Sequence, residues 1–427
     1  MSEMSFMKKL LDGVEVEWMA LGELTLPTNN IRWRDANRTY RYIDLTSVGI
    51  ETKEIIETSE ITSSNAPSRA QRLVKKNDVI FATTRPTQQR YCLIDDKYDG
   101  EVASTGYCVL RAKENEVLPK WILYWISSTD FKIYLEENQS GSAYPAISDA
   151  KVRDFKIPVP CSKNQKKSLE IQGEIVRILD TFTSLTAELT AELTAELTAR
   201  KKQYNYYRDQ LLSFKEGDVE WKTLGEIGEF IRGKRFTKAD YVEDGIDVIH
   251  YGEIYTRYGV FTTHALSQVR NDMAKSLRYA EPGDVVITDV GETVEDVGKA
   301  MAWLGDEKVA IHDHCYAFRH SMNPKFVSYC MQTASFIAEK AKYVARTKVN
   351  TLLINGFAKI AIPVPYPNDL EKSLAEQARI VAILDKFDAL TNSISEGLPH
   401  EIALRQKQYE YYRDLLLSFP KPEEVAA

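Results

Sequence analysis

Apolar and polar positions follow two different periods along this chain. From about Ser168 to Phe214, apolar residues such as Leu179 and Phe182 recur at steps of three and four, with no proline and no glycine after Gly173. This spacing predicts one amphipathic helix about 70 Å long. Such a helix needs a partner to cover its apolar stripe, and a second periodic segment from Ala378 to Phe419 can supply one.

Residues 20 to 155 instead have the pattern of strands. Short β-branched and aromatic runs such as Val79–Phe81 and Tyr107–Leu110 are separated by Gly, Asn, Asp and Pro. A helix is expected from Pro119 to Tyr134, because proline is tolerated in a first turn. The two prolines of Ile157–Pro160 then predict an extended connection to the long helix.

The second half of the chain repeats the first. Ile157-Pro-Val-Pro160 recurs at 362 to 365 and Lys202–Asp209 recurs at 407 to 414, both shifted by the same 205 positions. A shift this long excludes a solenoid of short repeats and indicates a duplicated domain with its helix. The intervening segments share apolar positions but differ in their polar loops, as expected of two domains of one fold with different binding loops.

These patterns predict an α+β protein in which two similar mixed α/β domains are separated by two long antiparallel helices that form a coiled coil. Glu17-Trp18 recurs as Glu220-Trp221, so the chain begins and ends inside the same repeated module, which predicts a pseudo-two-fold circular arrangement. The expected regions are an N-terminal part of the conserved module at 1–19, a first variable domain at 20–157, a central conserved region at 158–221, a second variable domain at 222–362 and a C-terminal conserved helix at 363–427.

The two long helical segments differ at one informative place. Three tandem copies of Thr-Ala-Glu-Leu occupy Thr186–Leu197, and each copy adds about 6 Å to a helix and rotates the next turn by about 40°. In the second half, Gly397-Leu-Pro399 replaces the equivalent Glu192-Leu-Thr194, so that helix should kink or restart there. Only the first helix therefore contains a segment made of whole four-residue repeats.

Composition sets the outer limits. The 427 residues, 44% hydrophobic and 27% charged, are ordinary for a soluble protein of two or three domains. No apolar run approaches the roughly 18 residues of a membrane helix and the start lacks signal-peptide features, so we expect a cytoplasmic protein without membrane contact. Five irregularly spaced cysteines fit reduced thiols. The net charge of −7 does not exclude a nucleic-acid partner, because basic clusters such as Arg32–Arg41 and Arg232–Arg235 are local.

Motifs that would indicate catalysis are incomplete. Gly228–Lys234 matches the first seven positions of a P-loop, but Arg235 stands where Ser or Thr would bind magnesium, which favours a glycine-hinged basic loop. The chain has no Asn/Asp-Pro-Pro-Tyr/Phe motif and no glycine-rich cofactor loop. His312–Cys315 has no second ligand cluster at zinc-like spacing, which favours a strand with alternating exposure. We expect no catalytic residue, no metal and no cofactor in this chain.

The three Thr-Ala-Glu-Leu copies, the duplicated Lys-Gln-Tyr-x-Tyr-Tyr-Arg-Asp block and the paired Ile-Pro-Val-Pro segments together resemble the specificity subunit of type I restriction-modification systems, of the subclass with such spacer repeats. The resemblance covers essentially the whole chain. It implies that the variable domains are target-recognition domains, each reading one half of an asymmetric DNA site with a non-specific spacer of roughly 6–8 base pairs. It also implies docking of two methyltransferase subunits that use S-adenosylmethionine, and of translocating restriction subunits that use ATP and Mg²⁺.

Polar loops that interrupt the shared scaffold are the candidates for binding double-stranded DNA. They mix Arg, which pairs with guanine edges, with Gln, which pairs with adenine edges. The candidates are Thr83, Thr84, Arg85, Thr87, Gln88, Gln89, Arg90, Ser140, Ser142 and Tyr144 in the first domain, and Arg232, Lys234, Arg235, Thr293, Arg346, Thr347, Lys348 and Asn350 in the second. For any single residue, a solvated side chain or a phosphate contact is an equally good interpretation.

The duplicated aromatic and basic block supplies candidates for partner docking. They are Tyr204, Tyr207, Arg208, Tyr409, Tyr412 and Arg413. Tyrosine and arginine dominate protein interfaces, and two equivalent copies would accept two equivalent partners. Packing of the helices and stacking on bases are the alternative interpretations.

Two other classes of function stay open at this point. A self-contained DNA methyltransferase or nuclease would need catalytic groups that the motifs do not supply. A non-catalytic coiled-coil scaffold would explain the duplication but would not need the divergent Arg, Gln and Thr loops.

Overall fold

The structure is a computed structural model that describes residues 14–142, 144–214, 219–346, 349–392 and 397–421. The chain divides into two compact units. Unit 1 consists of Met1–Thr190 together with Ala403–Ala427, and unit 2 consists of Ala191–Ile402. Unit 1 is therefore assembled from both ends of the chain.

The elements of unit 1 form a mixed α and β domain. They are β1 (Val16–Ala20), α1 (Leu21–Leu24), β2 (Thr25–Leu26), β3 (Tyr40–Ile43), β4 (Ser59–Ile61), β5 (Ala70–Leu73), β6 (Val79–Ala82), β7 (Tyr91–Leu93), β8 (Val102–Ser104), β9 (Tyr107–Ala112), α2 (Pro119–Ser127), α3 (Thr129–Asn138), α4 (Asp149–Asp154) and β10 (Lys156–Pro160). Helix α5 (Gln165–Leu211) follows and continues into unit 2.

Unit 2 repeats this order with additional short strands. Its elements are β11 (Val219–Thr223), α6 (Leu224–Ile227), β12 (Gly228–Arg232), β13 (Tyr241–Val242), β14 (Ile246–Ile249), α7 (Tyr251–Thr256), β15 (Phe261–Thr262), β16 (Ser267–Val269), β17 (Tyr279–Ala280), β18 (Val285–Thr288), β19 (Val290–Gly291), β20 (Ala300–Trp303), β21 (Val309–Ile311), β22 (Cys315–His320), α8 (Pro324–Cys330), α9 (Ala334–Lys340), β23 (Val344–Ala345), β24 (Asn350–Leu352), α10 (Ile354–Phe357), β25 (Ala361–Pro365) and α11 (Leu370–Asn392). The last helix, α12 (Gly397–Leu416), begins in unit 2 and ends in unit 1.

Each unit contains two larger sheets, and the arrangement of these sheets is similar in the two units. In unit 1 the sheets have the strand orders β2-β9-β6-β7 and β4-β3-β8-β5, and in unit 2 the larger sheets are β12-β22-β18-β20-β15 and β13-β16-β14-β21-β17. In each unit the second sheet contains one parallel pair, β3 with β8 and β14 with β21. The strands at the centre, such as β6 and β18, are buried along their whole length, which explains their unbroken apolar sequences.

The Ile-Pro-Val-Pro segments form strands of two-stranded ribbons. β10 pairs antiparallel with β1, which sets Pro158 opposite Trp18, and β25 pairs with β11, which sets Pro363 opposite Trp221. A proline is tolerated there because each strand has a neighbour on one side only. The predicted extended connection is thus also the strand that joins each domain to the repeated N-terminal module.

The long helix is paired antiparallel in each unit, as its apolar stripe predicts. In unit 1 the ring of Phe182 lies 6.0 Å from that of Tyr412, and further along α5 Leu189 lines the same cavity as Arg405 of α12. The stripe is only partly covered there, because Phe182, Leu185 and Leu189 are 37%, 56% and 37% exposed. In unit 2 the equivalent pair, Tyr207 of α5 and Phe387 of α11, is 5.7 Å apart.

Each long helix is fastened to its sheet domain by the same set of polar contacts. The Asp180 carboxylate accepts from the Tyr124 hydroxyl and the Lys120 ammonium, both at 2.7 Å. The Asp385 carboxylate accepts from Tyr329 at 2.8 Å and from Lys325 at 2.7 Å, again a shift of 205 positions. Burial and the nearby carboxylate raise the pKa of both tyrosines, so each stays a protonated donor.

Helix boundaries differ from the sequence predictions in identifiable ways. The helix expected at Pro119–Tyr134 is two helices, α2 and α3, because the Ser128 hydroxyl accepts from the Phe131 amide and starts a new helix. The predicted restart at Gly397 is confirmed, since α12 begins there with Pro399 in its first turn. None of the helices in the described ranges is long and apolar enough to cross a bilayer. All five cysteines are free thiols.

Trp18 and the segment Phe419–Pro420 meet at the core of unit 1. The ring of Phe419, 6% exposed, lies 5.6 Å from the ring of Trp121 and 6.2 Å from that of Trp125. The indole N–H of Trp18 donates to the Pro420 carbonyl at 2.8 Å. The C-terminal segment is therefore a part of the core rather than an appendage.

We expect Phe419→Ala to destabilise unit 1 by about 3–5 kcal/mol, because the substitution leaves a cavity between two tryptophan rings. Urea unfolding followed by tryptophan fluorescence measures this loss. The exposed Tyr411→Ala serves as the matched control and should change the unfolding free energy by less than about 0.5 kcal/mol. An equal effect of the two substitutions would contradict the packing of Phe419.

Candidate nucleic-acid interface

Two loops predicted from the sequence come together in unit 1. The chain leaves β6 through Thr83–Arg90, and the Ile147 amide donates to the Thr83 carbonyl at 2.9 Å. The Arg85 amide donates to the Pro145 carbonyl at 2.7 Å, so the segment before Pro145 lies directly beside this loop. The loops at 83–90 and 140–146 therefore form one surface, which we call loop cluster 1.

Arg85 and Tyr144 form the exposed part of loop cluster 1. The Arg85 guanidinium lies 5.3 Å from the centre of the Tyr144 ring, whose side chain is 71% exposed. Arg85 and Gln89 have left-handed backbones, with φ of 50° and 46°, on either side of a tight turn at Pro86–Gln88. Such conformations are costly for residues other than glycine and recur at functional sites.

Three of the predicted residues in cluster 1 turn inward. The Thr83 hydroxyl donates to the Gly106 carbonyl at 3.0 Å and is buried. The Gln89 amide donates to the carbonyls of Ile126 and Ser128, and the Arg90 guanidinium donates to the carbonyl of Leu45. These contacts favour a structural role for the three side chains.

The other members of cluster 1 stay available to a ligand. Thr84 and Thr87 are half-buried. Exposed side chains belong to Arg85, Gln88, Ser140, Ser142 and Tyr144. The structure thus divides the predicted residues of cluster 1 into exposed side chains and side chains that bind within the domain.

Unit 2 brings together the equivalent pair of loops. The Leu352 amide donates to the Asp289 carbonyl at 2.7 Å, in the way that Ile147 donates to Thr83 in unit 1. The Asn350 side-chain amide donates to the Glu292 carbonyl at 2.8 Å. We call the loops at 289–299 and 346–350 loop cluster 2. Thr293 and Arg346 are exposed there, whereas the predicted Thr347 and Lys348 lie outside the described residues.

A third loop joins cluster 2 at the end of β12. The Arg232 guanidinium contacts the Asp289 carboxylate at 3.2 Å and donates to the Asp313 carbonyl at 3.0 Å, while Lys234 and Arg235 are exposed. The glycine-hinged loop expected over Gly228–Lys234 is wrong for its first five residues, which form β12. In this described stretch no α-helix begins directly after Lys234 to cradle a phosphate, so the partial P-loop match has no matching geometry.

The His312–Cys315 segment is also different from its prediction as a strand. It makes a tight turn between β21 and β22, in which the Cys315 amide donates to the His312 carbonyl at 2.9 Å. The His312 and His250 rings lie 4.6 Å apart in the interior. Within the described ranges, no group of three or more His, Cys, Asp or Glu side chains is placed to hold a metal ion.

The buried Asp289 carboxylate lies in cluster 2 and has two partners of opposite or titratable charge. The Asp289 carboxylate contacts both Arg232 and the His314 ring, the latter at 3.0 Å. Burial raises the pKa of Asp289, while the neighbouring His314 and Arg232 oppose that shift. Arg232 is therefore held by an intramolecular ion pair, in contrast to the exposed Lys234 and Arg235.

The duplicated tyrosine block divides into buried and exposed members. Tyr204, Arg208 and Arg413 are buried, which favours helix packing for these three. Tyr207 is 41% exposed, and Tyr409 and Tyr412 are half-buried. Within the duplicated block, the most exposed tyrosines are Tyr206 and Tyr411, which the sequence prediction did not include.

Two lysines that the sequence analysis missed hold the loop backbones. The Lys53 ammonium donates to the Gln89 carbonyl at 2.6 Å in cluster 1, and the Lys340 ammonium donates to the Glu295 carbonyl at 2.8 Å in cluster 2. A signal existed for Lys340, because the shift of 205 positions aligns it with Leu135 and sets a charge at an apolar helix position. No comparable signal marks Lys53.

Comparisons with known proteins agree on one family. Residues 15–199 and 216–404 match the family described as "Type I restriction modification DNA specificity domain". The chain is 39% identical to the type I restriction enzyme EcoR124I/EcoR124II specificity subunit of Escherichia coli over the full length of both, and 31% identical to the EcoprrI specificity subunit of the same species over 93% of each. A solved structure of a type I R-M system, 22% identical, superposes with a TM-score of 0.68 over 94% of this chain and 97% of that one, which supports the fold.

Acid should destabilise unit 2 selectively, because all six histidines of the chain lie in it. Burial lowers the pKa of His312 and of His320 from 6.5 to about 4. The unfolded chain takes up these protons near pH 6.5 and the folded chain only near pH 4. The stabilisation is therefore complete above pH 6.5 and is lost as the pH falls towards 4.

The measurement is urea unfolding at about pH 7 and pH 5. In both residues the Nδ1 atom accepts from the amide two positions on, a bond that an asparagine oxygen also makes. His312→Asn and His320→Asn should therefore reduce the difference between the two pH values, whereas the exposed His264→Asn should not. An unchanged difference in the buried variants would refute this assignment.

Proposed function

The chain belongs to the type I restriction modification DNA specificity family, and we propose that it reads the two halves of a bipartite, asymmetric DNA site with loop clusters 1 and 2. Recognition of a DNA sequence is its function within the restriction-modification complex. One observation carries the assignment of the loops. Each unit presents the same pair of connections at the same edge of a shared sheet frame, but with different exposed side chains.

Cluster 1 has the chemistry for reading base edges in a major groove. Arg85 can donate two hydrogen bonds to the O6 and N7 atoms of guanine, and Gln88 can pair with adenine. Ser140, Ser142 and Tyr144 supply hydroxyl groups for bases or phosphates. In this proposal Thr84 and Thr87 assist, whereas Thr83, Gln89 and Arg90 shape the loop from within.

Cluster 2 reads the other half-site with a different set. Its exposed side chains include the cations Lys234, Arg235 and Arg346 and the hydroxyl of Thr293, and Asn350 adds a half-buried amide. Thr347 and Lys348 belong to the same loop by sequence. Arg232 is assigned to orienting Asp289 and the loop rather than to contacting DNA, because its guanidinium is already paired.

The long helices carry the partners and the spacing. We assign the docking of two methyltransferase subunits, which use S-adenosylmethionine, to the equivalent helix surfaces marked by Tyr206 with Tyr207 and by Tyr411 with the half-buried Tyr412. Ring contacts of 5.4 Å in both pairs give the two surfaces the same local shape. Restriction subunits that use ATP and Mg²⁺ complete the complex. This chain supplies recognition, and its partners supply the chemistry.

Arg85→Ala should relax one base pair in one half-site, since a bidentate arginine contributes about 1–3 kcal/mol of discrimination, or roughly ten- to a hundredfold. Mapping adenine methylation in cells that contain the complex measures this. Arg177→Ala is the matched control, because that guanidinium lies on the helix surface paired with Glu174. A uniform loss over all sites would instead assign Arg85 to a phosphate contact, and no loss would contradict the proposal.

Deleting Thr190–Leu193 should shorten the spacer and leave both half-site sequences unchanged. Those four residues lie inside the continuous 47-residue α5, so their removal shortens the helix by about 6 Å. At about 3.4 Å per base pair this corresponds to one or two pairs. Methylation mapping reports the spacer directly. Replacement of the same residues by Ser-Ala-Gln-Leu keeps the helix length and serves as the control. An unchanged spacer in the deletion variant would disprove the proposal that the length of α5 sets the spacer.

A further inference from the structure

Lys340 places a cation beneath loop cluster 2. It is the last residue of α9, its side chain is 2% exposed, and its ammonium donates to the Glu295 carbonyl at 2.8 Å. Glu295 lies in the connection from β19 to β20, two positions beyond the exposed Thr293. The lysine therefore contacts the backbone of the proposed reading loop from the side opposite to solvent.

Packing alone does not require a lysine at this position. The equivalent residue of unit 1 is Leu135, which is fully buried. Burying an ammonium group costs several kcal/mol unless its donors are used. Burial indeed lowers the pKa of Lys340 to about 8. A group this costly at a site where leucine fits indicates that its bond to the loop has a function.

The loop is closed around the lysine stem. Gly298 has φ of 73°, and a Cβ there would approach the Lys340 Cδ to 2.9 Å. The Thr288 hydroxyl donates to the Asp296 carbonyl at 3.2 Å, and the Thr293 hydroxyl donates to the Asp296 carboxylate at 2.7 Å. These contacts stay within the loop and its root. Lys340 joins the loop to α9, and the Lys299 ammonium joins its end to the Tyr255 carbonyl of α7 at 3.2 Å.

Loop cluster 1 has the same arrangement built from a different part of the chain. Lys53, which follows β3, donates to the Gln89 carbonyl at 2.6 Å, next to the exposed Gln88. Its ammonium lies 4.6 Å from the centre of the Tyr91 ring. Burial lowers the pKa of Lys53 to about 8, assisted by Arg90 and Arg413 and opposed by Glu51. Two lysines at positions that are not equivalent in the duplication thus make the same kind of contact, from an ammonium group to a loop carbonyl.

We propose that Lys53 and Lys340 are positioning residues that tie the backbones of the two reading loops, so that each lysine controls the sequence discrimination of one half-site. The inference rests on the proposed function of the loops. Base readout needs side chains held to within about 0.5 Å, and a surface loop reaches this only when its backbone is tied to rigid elements. Neither lysine contacts DNA in this proposal.

The test uses Lys53→Met and Lys340→Leu in the full chain, assembled with its methyltransferase partners in cells. The leucine copies the residue of unit 1 at the equivalent position. Adenine methylation at cognate sites is compared with methylation at sites that have one changed base pair. Each variant should lose about tenfold in discrimination at one half-site only, since a hydrogen bond from a charged group is lost. Lys53→Met should affect the half relaxed by Arg85→Ala, and Lys340→Leu the half relaxed by Arg346→Ala.

Matched variants separate positioning from general stability. Lys76→Met and Lys342→Met remove exposed lysines that form surface ion pairs, and they should leave both half-sites unchanged. Lys53→Arg keeps an N–H donor and should recover most of the discrimination. Equal losses in both halves, together with a lowered melting temperature, would overturn the proposal, and so would unchanged discrimination. If Arg85→Ala and Arg346→Ala also had no effect, the proposed function of the loops would fail instead.

Discussion

The apolar stripe of α5 is the constraint on which the rest of the structure depends. A single helix of 47 residues leaves that stripe in water, and its stability must come from packing rather than from helix propensity. The duplicated half covers part of it, with α12 in unit 1 and α11 in unit 2, while Leu185 and Leu189 stay exposed. In each unit one helix of the pair also carries an aspartate that binds a tyrosine and a lysine of the sheet domain, Asp180 on α5 and Asp385 on α11, so the paired helices also anchor the domains.

Buried ion pairs restrict the sequence of the sheets, whereas the exposed side chains of the variable loops are not restricted in this way. In the frame, a buried aspartate pairs with an arginine of the neighbouring strand in both units, Asp78 with Arg111 and Asp284 with Arg319. Such pairs cannot be broken on one side without leaving an uncompensated buried charge. The loops between the same strands have no equivalent restriction on their exposed side chains, so their chemistry can differ while their roots, at Thr83 and Asp289, keep the same backbone bonds.

The duplication made the pair of similar domains and the pairing of their helices predictable, because each half of the sequence tests the interpretation of the other. Directions of individual side chains were harder to predict. Tyr206 and Tyr207 are neighbours in sequence but about 100° apart on a helix, and only the position of the covering helix decides how much of each side chain is exposed. Gln89 and Arg90 look like base readers, yet they satisfy the carbonyls of Ile126 and Leu45, which are distant in the chain. Lys53 gave no sign at all, since its acceptor is a backbone oxygen that any residue carries.

Assembly of unit 1 from both ends of the chain has a consequence for biosynthesis. Trp121 and Trp125 are translated before unit 2, whereas Phe419 and Pro420, which complete their surroundings, are translated after it. Every residue of unit 2 leaves the ribosome before this closing segment does. Domains usually mature in the order of their synthesis. Here the half that is made first must keep an open apolar slot until all of unit 2 and the segment at Phe419 have been translated, so the order of maturation is reversed.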